Sequence, residues 1–237
     1  MSVAAVVPAA GSGTRLGAGA PKAFVPLAGV PIVVRAVDGL LRSGAVDEVV
    51  VAVPEALLEH ARELLGGRPV AVLAGGAERT ATVRRALDLL RRPHDVAQRQ
   101  GGPSGDGPPD IVLVHDAARP LTPPALIAAV VAAVRAGNPA VVPALPLADT
   151  VKRVAGSTVE STVDRSALRA VQTPQGFALD LLRAAYAASG VDAIATDDAG
   201  LVERMGEKVV TIPGDPLAFK VTTPWDLRIA ELLLEGS

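Results

Sequence analysis

Short apolar runs alternate with stretches whose apolar residues recur every three or four positions, the pattern of buried strands and amphipathic helices. Val3 to Val7 is the first run. After Pro31, placed as a first helical residue, Ile32, Ala36, Val37, Leu40 and Leu41 keep helical spacing. Val46 to Val53 predicts a strand, and Leu57, Leu58, Ala61, Leu64 and Leu65 a helix ended by Gly66. Val70 to Ala74 is a short strand, followed by a helix with Val83, Ala86, Leu87 and Leu90 on its inner face. Ile111 to Val114 predicts another strand, and Thr122 with Pro123 the cap of a helix reaching about Arg135. Helices follow near 178–188 and 197–205, then a strand at Val209 to Ile212. Thr223-Pro224-Trp225-Asp226 reads as a capping-box start to the last helix.

Two segments depart from the alternation. Residues 92–109 are rich in Pro, Gly and polar side chains and predict a flexible surface insertion, because the β/α order resumes unchanged after them. Val141 to Val154 and Val159 to Val163 read as extended around Gly156, which predicts a projecting β-arm over about 141–165. The whole, residues 1–237, is expected to be one α/β domain. Its core is a Rossmann-like, mostly parallel sheet with helices on both faces and right-handed crossovers. Ligands of such sheets bind beyond the carboxyl ends of the strands. Three polar motifs that each follow a strand fall on that rim: the loop from Pro8, the pair Gly75-Gly76, and Asp116.

The loop from Pro8 to Lys22 carries the strongest chemical signal. Ala9, Ala10, Gly11, Ser12 and Gly13 have little or no side chain, so backbone N–H groups can approach a ligand. Arg15 and Lys22 add two cations, and donors with cations suit a polyphosphate. A dinucleotide fingerprint fails: Gly17 comes one residue late, and Val33, Val34 and Arg35 stand where an acid is required. A Gly-Lys-Ser/Thr phosphate loop is absent. What remains, A-A-G-x-G-T-R-L followed by P-K, resembles nucleotidyltransferases that join a sugar or polyol phosphate to a nucleotide.

Composition narrows the field. An apolar fraction of 49% supplies core from Val, Leu and Ala, while aromatics at 2% argue against base-stacking surfaces. A net charge of −2 argues against nucleic acid as a partner. Without cysteine there is no disulfide, thiolate metal site or thiol nucleophile. No apolar run approaches the roughly 20 residues of a membrane helix, and no basic segment precedes the first strand, so no membrane partner and a cytoplasmic location are expected. Three of the few lysines (Lys22, Lys152 and Lys220) fall inside motifs in a chain that otherwise uses Arg.

Further along stand, in order, His115-Asp116-Ala117-Ala118-Arg119-Pro120, Asp149-Thr150-Val151-Lys152, Thr162-Val163-Asp164-Arg165, Gln172-Thr173-Pro174-Gln175-Gly176-Phe177, Thr196-Asp197-Asp198 and Phe219-Lys220-Val221-Thr222. With the opening loop they resemble the 2-C-methyl-D-erythritol 4-phosphate cytidylyltransferases of the non-mevalonate isoprenoid pathway, over about Val3 to Leu234. The resemblance implies transfer of CMP from CTP to the polyol phosphate, with release of pyrophosphate and Mg²⁺ or another divalent cation as cofactor. It implies Arg15 and Lys22 at the reacting phosphorus and Asp116 on the metal. It puts the nucleotide against Ala9 to Gly13, Gly75, Gly76, Thr82 and Ala117, and the polyol phosphate against Arg119, Thr173, Thr196 and Lys220. Thr150 and Arg165 on the arm are implied to reach a partner's site in a homodimer. The chain departs from the pattern at Ala77, where many relatives carry an acid, and at Leu217-Ala218, where relatives often place Asp-Asn. Asp215 is then the candidate second metal carboxylate. Two rival readings remain open at this point: a cytidylyltransferase for another polyol phosphate, such as ribitol 5-phosphate, and a non-catalytic CTP-binding dimer.

Overall fold

The computed structural model describes residues 1–11, 16, 21–90, 109–189 and 196–236. In chain order its strands are β1 (Val3–Pro8), the two-residue β2 (Pro26–Leu27) and β3 (Val30–Pro31), β4 (Glu48–Val53), β5 (Val70–Ala74) and β6 (Ile111–Val114). Then come β7 (Ala140–Pro146), β8 (Val151–Ala155), β9 (Thr158–Val163), β10 (Arg169–Val171), β11 (Gln175–Ala178) and β12 (Val210–Pro213). The helices are α1 (Ile32–Arg42), α2 (Leu58–Leu65), α3 (Arg79–Leu90), α4 (Pro124–Arg135), α5 (Leu179–Ala188), α6 (Ala199–Arg204) and α7 (Pro224–Glu235).

Eight strands form one mixed sheet. Its path runs β10-β7-β11-β6-β1-β4-β5, with β12 paired to β7. β1 runs parallel to β4 and β6, and β4 parallel to β5. The period of two along β1 sends its side chains to opposite faces. Val3, Ala5 and Val7 join a cluster with residues of α1, α2 and α4. Ala4 and Val6 join a second cluster with residues of α3, α5 and α6. Helices therefore cover both faces, which is why these strands read as continuous apolar runs. The chain proceeds outward from β1 through β4 to β5, then returns to place β6 on the other side of β1. That reversal leaves a crevice beyond the carboxyl ends of β1 and β6.

The expected arm divides in two. Ala140–Pro146 is no arm: β12 pairs with it in parallel through Val210↔Val141 to Pro213↔Ala144, and β11 pairs antiparallel through Gly176↔Val141 and Phe177↔Ala140. The separate element is the hairpin β8–β9, turned at Gly156 with φ 58, a left-handed conformation that favours glycine. Val154 and Val159 on this hairpin are each 55% exposed. Pattern reading also missed β11, which enters antiparallel between β6 and β7.

Two expected caps have different outcomes. Thr122 does not cap α4; its hydroxyl donates to the Arg119 carbonyl, and Pro123 occupies the N-cap with Pro124 at the first helical position. Thr223 and Asp226 do form the capping box of α7. A third apolar cluster, Leu16, Val25, Leu27, Ile32, Val221 and Ala230, docks α7 on the β2–β3 hairpin and fixes the approach to Lys220. The expected insertion at about 92–109 lies, but for its last residue, outside the described residues. No helix among the described residues is long and apolar enough to cross a membrane.

Helix α4 packs closely over β11 because Gly176 has no side chain. A Cβ there would meet Val130 Cγ1 at 2.5 Å and Val134 Cγ2 at 3.1 Å. Both neighbours are β-branched and stiff at χ1. Gly176→Ala should therefore cost about 1–3 kcal/mol of stability, read as a lower urea midpoint; an unchanged midpoint refutes this account of the packing.

Candidate active site

At the crevice lies a cavity of ≈ 250 Å³. Its floor is Pro8 to Gly11 after β1 and Asp116 to Ala118 after β6; Gly76 to Arg79 after β5 form one wall, and Lys22, Ala23 and Lys220 close another. Most of the lining is Ala or Gly, so backbone forms much of the surface and leaves room for a large ligand.

Two glycines and a threonine set the loop spacing. A Cβ on Gly75 would sit 2.5 Å from Ala10 Cβ, so only glycine lets the turn after β5 pack against the loop after β1. On Gly76 a Cβ would meet Ala81 Cβ at 2.6 Å. The buried Thr82 hydroxyl accepts from Gly76 N–H at 2.9 Å and donates to the Glu78 carbonyl at 2.9 Å, tying the turn to the first coil of α3. Gly76 and Thr82 line the cavity, while Gly75 lies behind Ala10.

Asp116 is the electrostatic centre. Its side chain is 14% exposed, and Oδ2 lies 2.8 Å from Lys220 Nζ and 3.7 Å from Arg119 Nε. Arg79 Nε stands 3.9 Å from Oδ1. Burial pushes the carboxyl up, but Lys220, Arg79 and Arg119 outweigh it and hold Asp116 down at about 2. Its backbone is pinned from behind: Asp116 N–H donates to Thr173 Oγ1 at 2.9 Å.

Lys220 is placed by a chain of backbone contacts. Gln172 holds the loop after β12 twice, donating to the Asp215 carbonyl and accepting from Asp215 N–H. A Cβ on Gly214 would meet Gln172 Oε1 at 2.3 Å, so this clasp requires glycine. Val221 N–H then donates to the Ala118 carbonyl at 2.8 Å, which brings the neighbouring Lys220 over Asp116.

The expected site residues sort by position. Ala9, Ala10, Gly11, Lys22, Gly76, Thr82, Asp116, Ala117 and Lys220 share the cavity. Ser12, Gly13 and Arg15 lie outside the described residues. Arg119 sits behind Asp116 with its guanidinium donating to the Ala218 carbonyl, and Thr173 is buried under Asp116; neither lines the cavity. Thr196 is exposed beside α6, and Thr150 and Arg165 are exposed near the β8–β9 hairpin, with Arg165 donating to the Ala148 carbonyl. None of these three lines the cavity of its own chain. Asp215 is engaged elsewhere: its Oδ1 accepts from Leu217 N–H at 2.8 Å and caps the turn at Pro216–Ala218. It does not line the cavity. Arg79 was missed altogether. One signal was available, a cation at the first residue of a helix, where the dipole disfavours positive charge.

The donor set fits a magnesium ion carried in on a triphosphate. Such an ion takes one or two carboxylates and fills its shell with phosphate oxygens and water. Asp116 offers a mostly buried carboxylate in the cavity floor and Glu78 an exposed one in its wall, and no group of three His, Cys, Asp or Glu side chains that could form an all-protein cage occurs among the described residues.

A cationic, backbone-lined crevice with a mostly buried carboxylate at its centre, at the reversal point of an α/β sheet, suits the nucleotidyltransferase class. The family model for 2-C-methyl-D-erythritol 4-phosphate cytidylyltransferase (IspD) matches residues 3–236, and the chain belongs to that family. The enzyme of that name from Rhodococcus opacus (strain B4) is 58% identical over 98% of this chain and 95% of its own length. That from Nocardia farcinica (strain IFM 10152) is 58% identical over 99% and 94%. The crystal structure of the Thermus thermophilus enzyme superposes with a TM-score of 0.78 at 35% identity, covering 99% of this chain and all of the other. The chain is thus an enzyme that transfers CMP from CTP to 2-C-methyl-D-erythritol 4-phosphate in the non-mevalonate pathway.

His115, beside Asp116, is fully buried. Burial pushes its pKa down to about 4, against the pull of Asp116, so the ring is neutral. Thr173 Oγ1 stands 3.2 Å from Nδ1 and can donate to it. The unfolded chain takes up a proton below about 6.5 that the folded chain refuses until about 4. Stability is therefore lost as pH falls through that window, by up to about 3 kcal/mol. His115→Gln should flatten the slope of unfolding free energy between pH 6.5 and 4; parallel slopes for both proteins overturn the assignment.

Proposed function

We propose that a phosphate oxygen of 2-C-methyl-D-erythritol 4-phosphate attacks the α-phosphorus of CTP within this cavity. One P–O bond forms and the bond from the α-phosphorus to pyrophosphate breaks. The observation that carries the reading is the convergence of Lys22, Lys220 and Asp116, from three distant segments, on one backbone-lined crevice. The attacking group is already an anion, so no general base is required. Catalysis consists of positioning and charge stabilisation.

In this reading the cytidine lies along Ala9 to Gly13 and Gly76, with Thr82 and Gly75 shaping that surface and Ala117 beneath it. Lys22 and Arg15 face the phosphorus as negative charge accumulates. Asp116 would hold Mg²⁺ arriving on the triphosphate, and that ion would supply charge stabilisation to the phosphate oxygens. Thr173 acts by holding Asp116, and Arg119 by holding the segment before Lys220. Lys220, with Thr196, receives the polyol phosphate. Both substrates are charged phosphate esters that cannot cross a bilayer unaided, which supports a cytoplasmic setting.

We further propose a homodimer in which Thr150 and Arg165 complete the partner's site. Two observations support it: both residues are exposed and apart from the cavity of their own chain, and the adjacent hairpin leaves Val154 and Val159 uncovered.

Lys22→Ala should lower kcat by about a hundredfold to a thousandfold while CTP affinity changes much less. Pyrophosphate release with 2-C-methyl-D-erythritol 4-phosphate, run beside ribitol 5-phosphate, measures it. Equal losses in turnover and CTP affinity would remove Lys22 from the reacting centre.

The shared site has its own test. Homodimers of Lys22→Ala and of Arg165→Ala should each be nearly inactive. A mixed dimer would carry both lesions in one site and none in the other, so co-refolding the two variants should restore a sizeable part of wild-type activity. No recovery, with subunit exchange confirmed by two tags, places Arg165 in its own chain's site.

A further inference from the structure

Arg79 stands between two carboxylates. Its Nη2 meets Asp198 Oδ2 at 2.5 Å, while its Nε lies 3.9 Å from Asp116 Oδ1. Asp198 is fully buried, and its second oxygen accepts from Tyr186 Oη at 2.6 Å. The anchor is thus fixed on both oxygens and braced from α5.

The other nitrogen of the fork is the informative one. Arg79 Nη1 is buried and has no hydrogen-bond partner. An orphaned donor on a permanent cation is costly, and a guanidinium beside a carboxylate ordinarily closes into a two-bond pair. Here it does not close, although Asp116 is within reach. Its one short bond goes to Asp198 instead.

We propose that Asp198, braced by Tyr186, is a positioning residue that restrains Arg79 from pairing directly with Asp116 and so keeps the Asp116 carboxylate available to a nucleotide-bound divalent cation. The inference rests on the reading that Asp116 receives that cation. Oδ2 of Asp116 is already paired with Lys220 Nζ at 2.8 Å, and in the restrained state Arg79 stands 3.9 Å from Oδ1, beyond hydrogen-bond distance, so that this is the oxygen kept open. If Asp198 lost its charge, Arg79 would swing onto Asp116, and an incoming metal would have to displace a guanidinium. An ion pair that merely joined α3 to α6 would not govern the metal response at all.

Calorimetric titration of the full-length protein with CTP, with and without MgCl₂ and without polyol phosphate, reads the effect apart from turnover. In wild type, Mg²⁺ should tighten CTP binding. Asp198→Asn should cut that enhancement by about tenfold to a hundredfold, the usual loss for a partner that orients a metal ligand, with a much smaller change in metal-free CTP affinity. The double variant Arg79→Gln/Asp198→Asn removes the cation that would close on Asp116, and should recover the enhancement. An undiminished enhancement in Asp198→Asn, or a double variant no better than the single one, overturns the proposal. Should Asp198→Asn fail to fold, Tyr186→Phe loosens the same anchor and should lower the enhancement in the same direction; no change overturns it equally. Asp116→Asn separates the two levels. If that variant keeps the full enhancement, the metal reading itself fails. If it loses the enhancement while Asp198→Asn keeps it, the restraint alone is wrong.

Discussion

One carboxylate against three cations is the constraint on which the site depends. Asp116 is mostly buried, and a buried charge must be compensated. Its compensation comes from three directions: Arg79 at the start of α3, Arg119 one turn further along its own segment, and Lys220 from the far end of the chain. Each partner requires its own scaffold. Arg79 needs the glycine turn after β5, Lys220 needs the Gln172 clasp and Val221, and Asp116 needs Thr173 beneath it. Folding the sheet therefore assembles a charge balance as well as a crevice, and loss of any one support leaves a charge out of place.

The legible part of the fold was the part governed by local periodicity. β1, β4, β5 and β6 read correctly because they are covered on both faces and carry unbroken apolar runs. The convergence of the opening loop, Gly76 and Asp116 followed from the rule that ligands sit at strand carboxyl ends. Where pairing is long-range, pattern failed. Ala140–Pro146 lacks a helix before the next extended segment, so it resembled the start of an arm, although strands from residues 175–178 and 210–213 flank it. β11 is four residues long and antiparallel, and nothing in its own sequence announces that it enters between β6 and β7.

The same division holds in the site. Residues whose role is to line the crevice were found from motif and strand position. Residues that act by holding others were not. Asp198 stands in the sequence only as the last residue of Thr196-Asp197-Asp198; the fold alone brings it to Arg79, 119 positions away. Capping belongs to its neighbour Asp197, which accepts from Gly200 N–H. Thr173, expected at the substrate, accepts from the Asp116 N–H beneath the cavity, a support that only the fold reveals. Burial turns polar side chains that would otherwise face water into supports, and burial is not a local property of sequence.

The Ala- and Gly-built lining of the crevice has a consequence for drug resistance. A compound that rests on Ala9, Ala10, Gly11, Ala117 and Ala118 touches mostly main chain, which no point mutation removes. The change left open to such positions is enlargement, and a larger side chain there intrudes on the natural ligand as much as on the compound. Gly75 and Gly76 tighten this further, since a single added carbon at either collides with Ala10 or Ala81 before any ligand is present. Escape by mutation in this half of the crevice therefore carries a direct penalty in fitness.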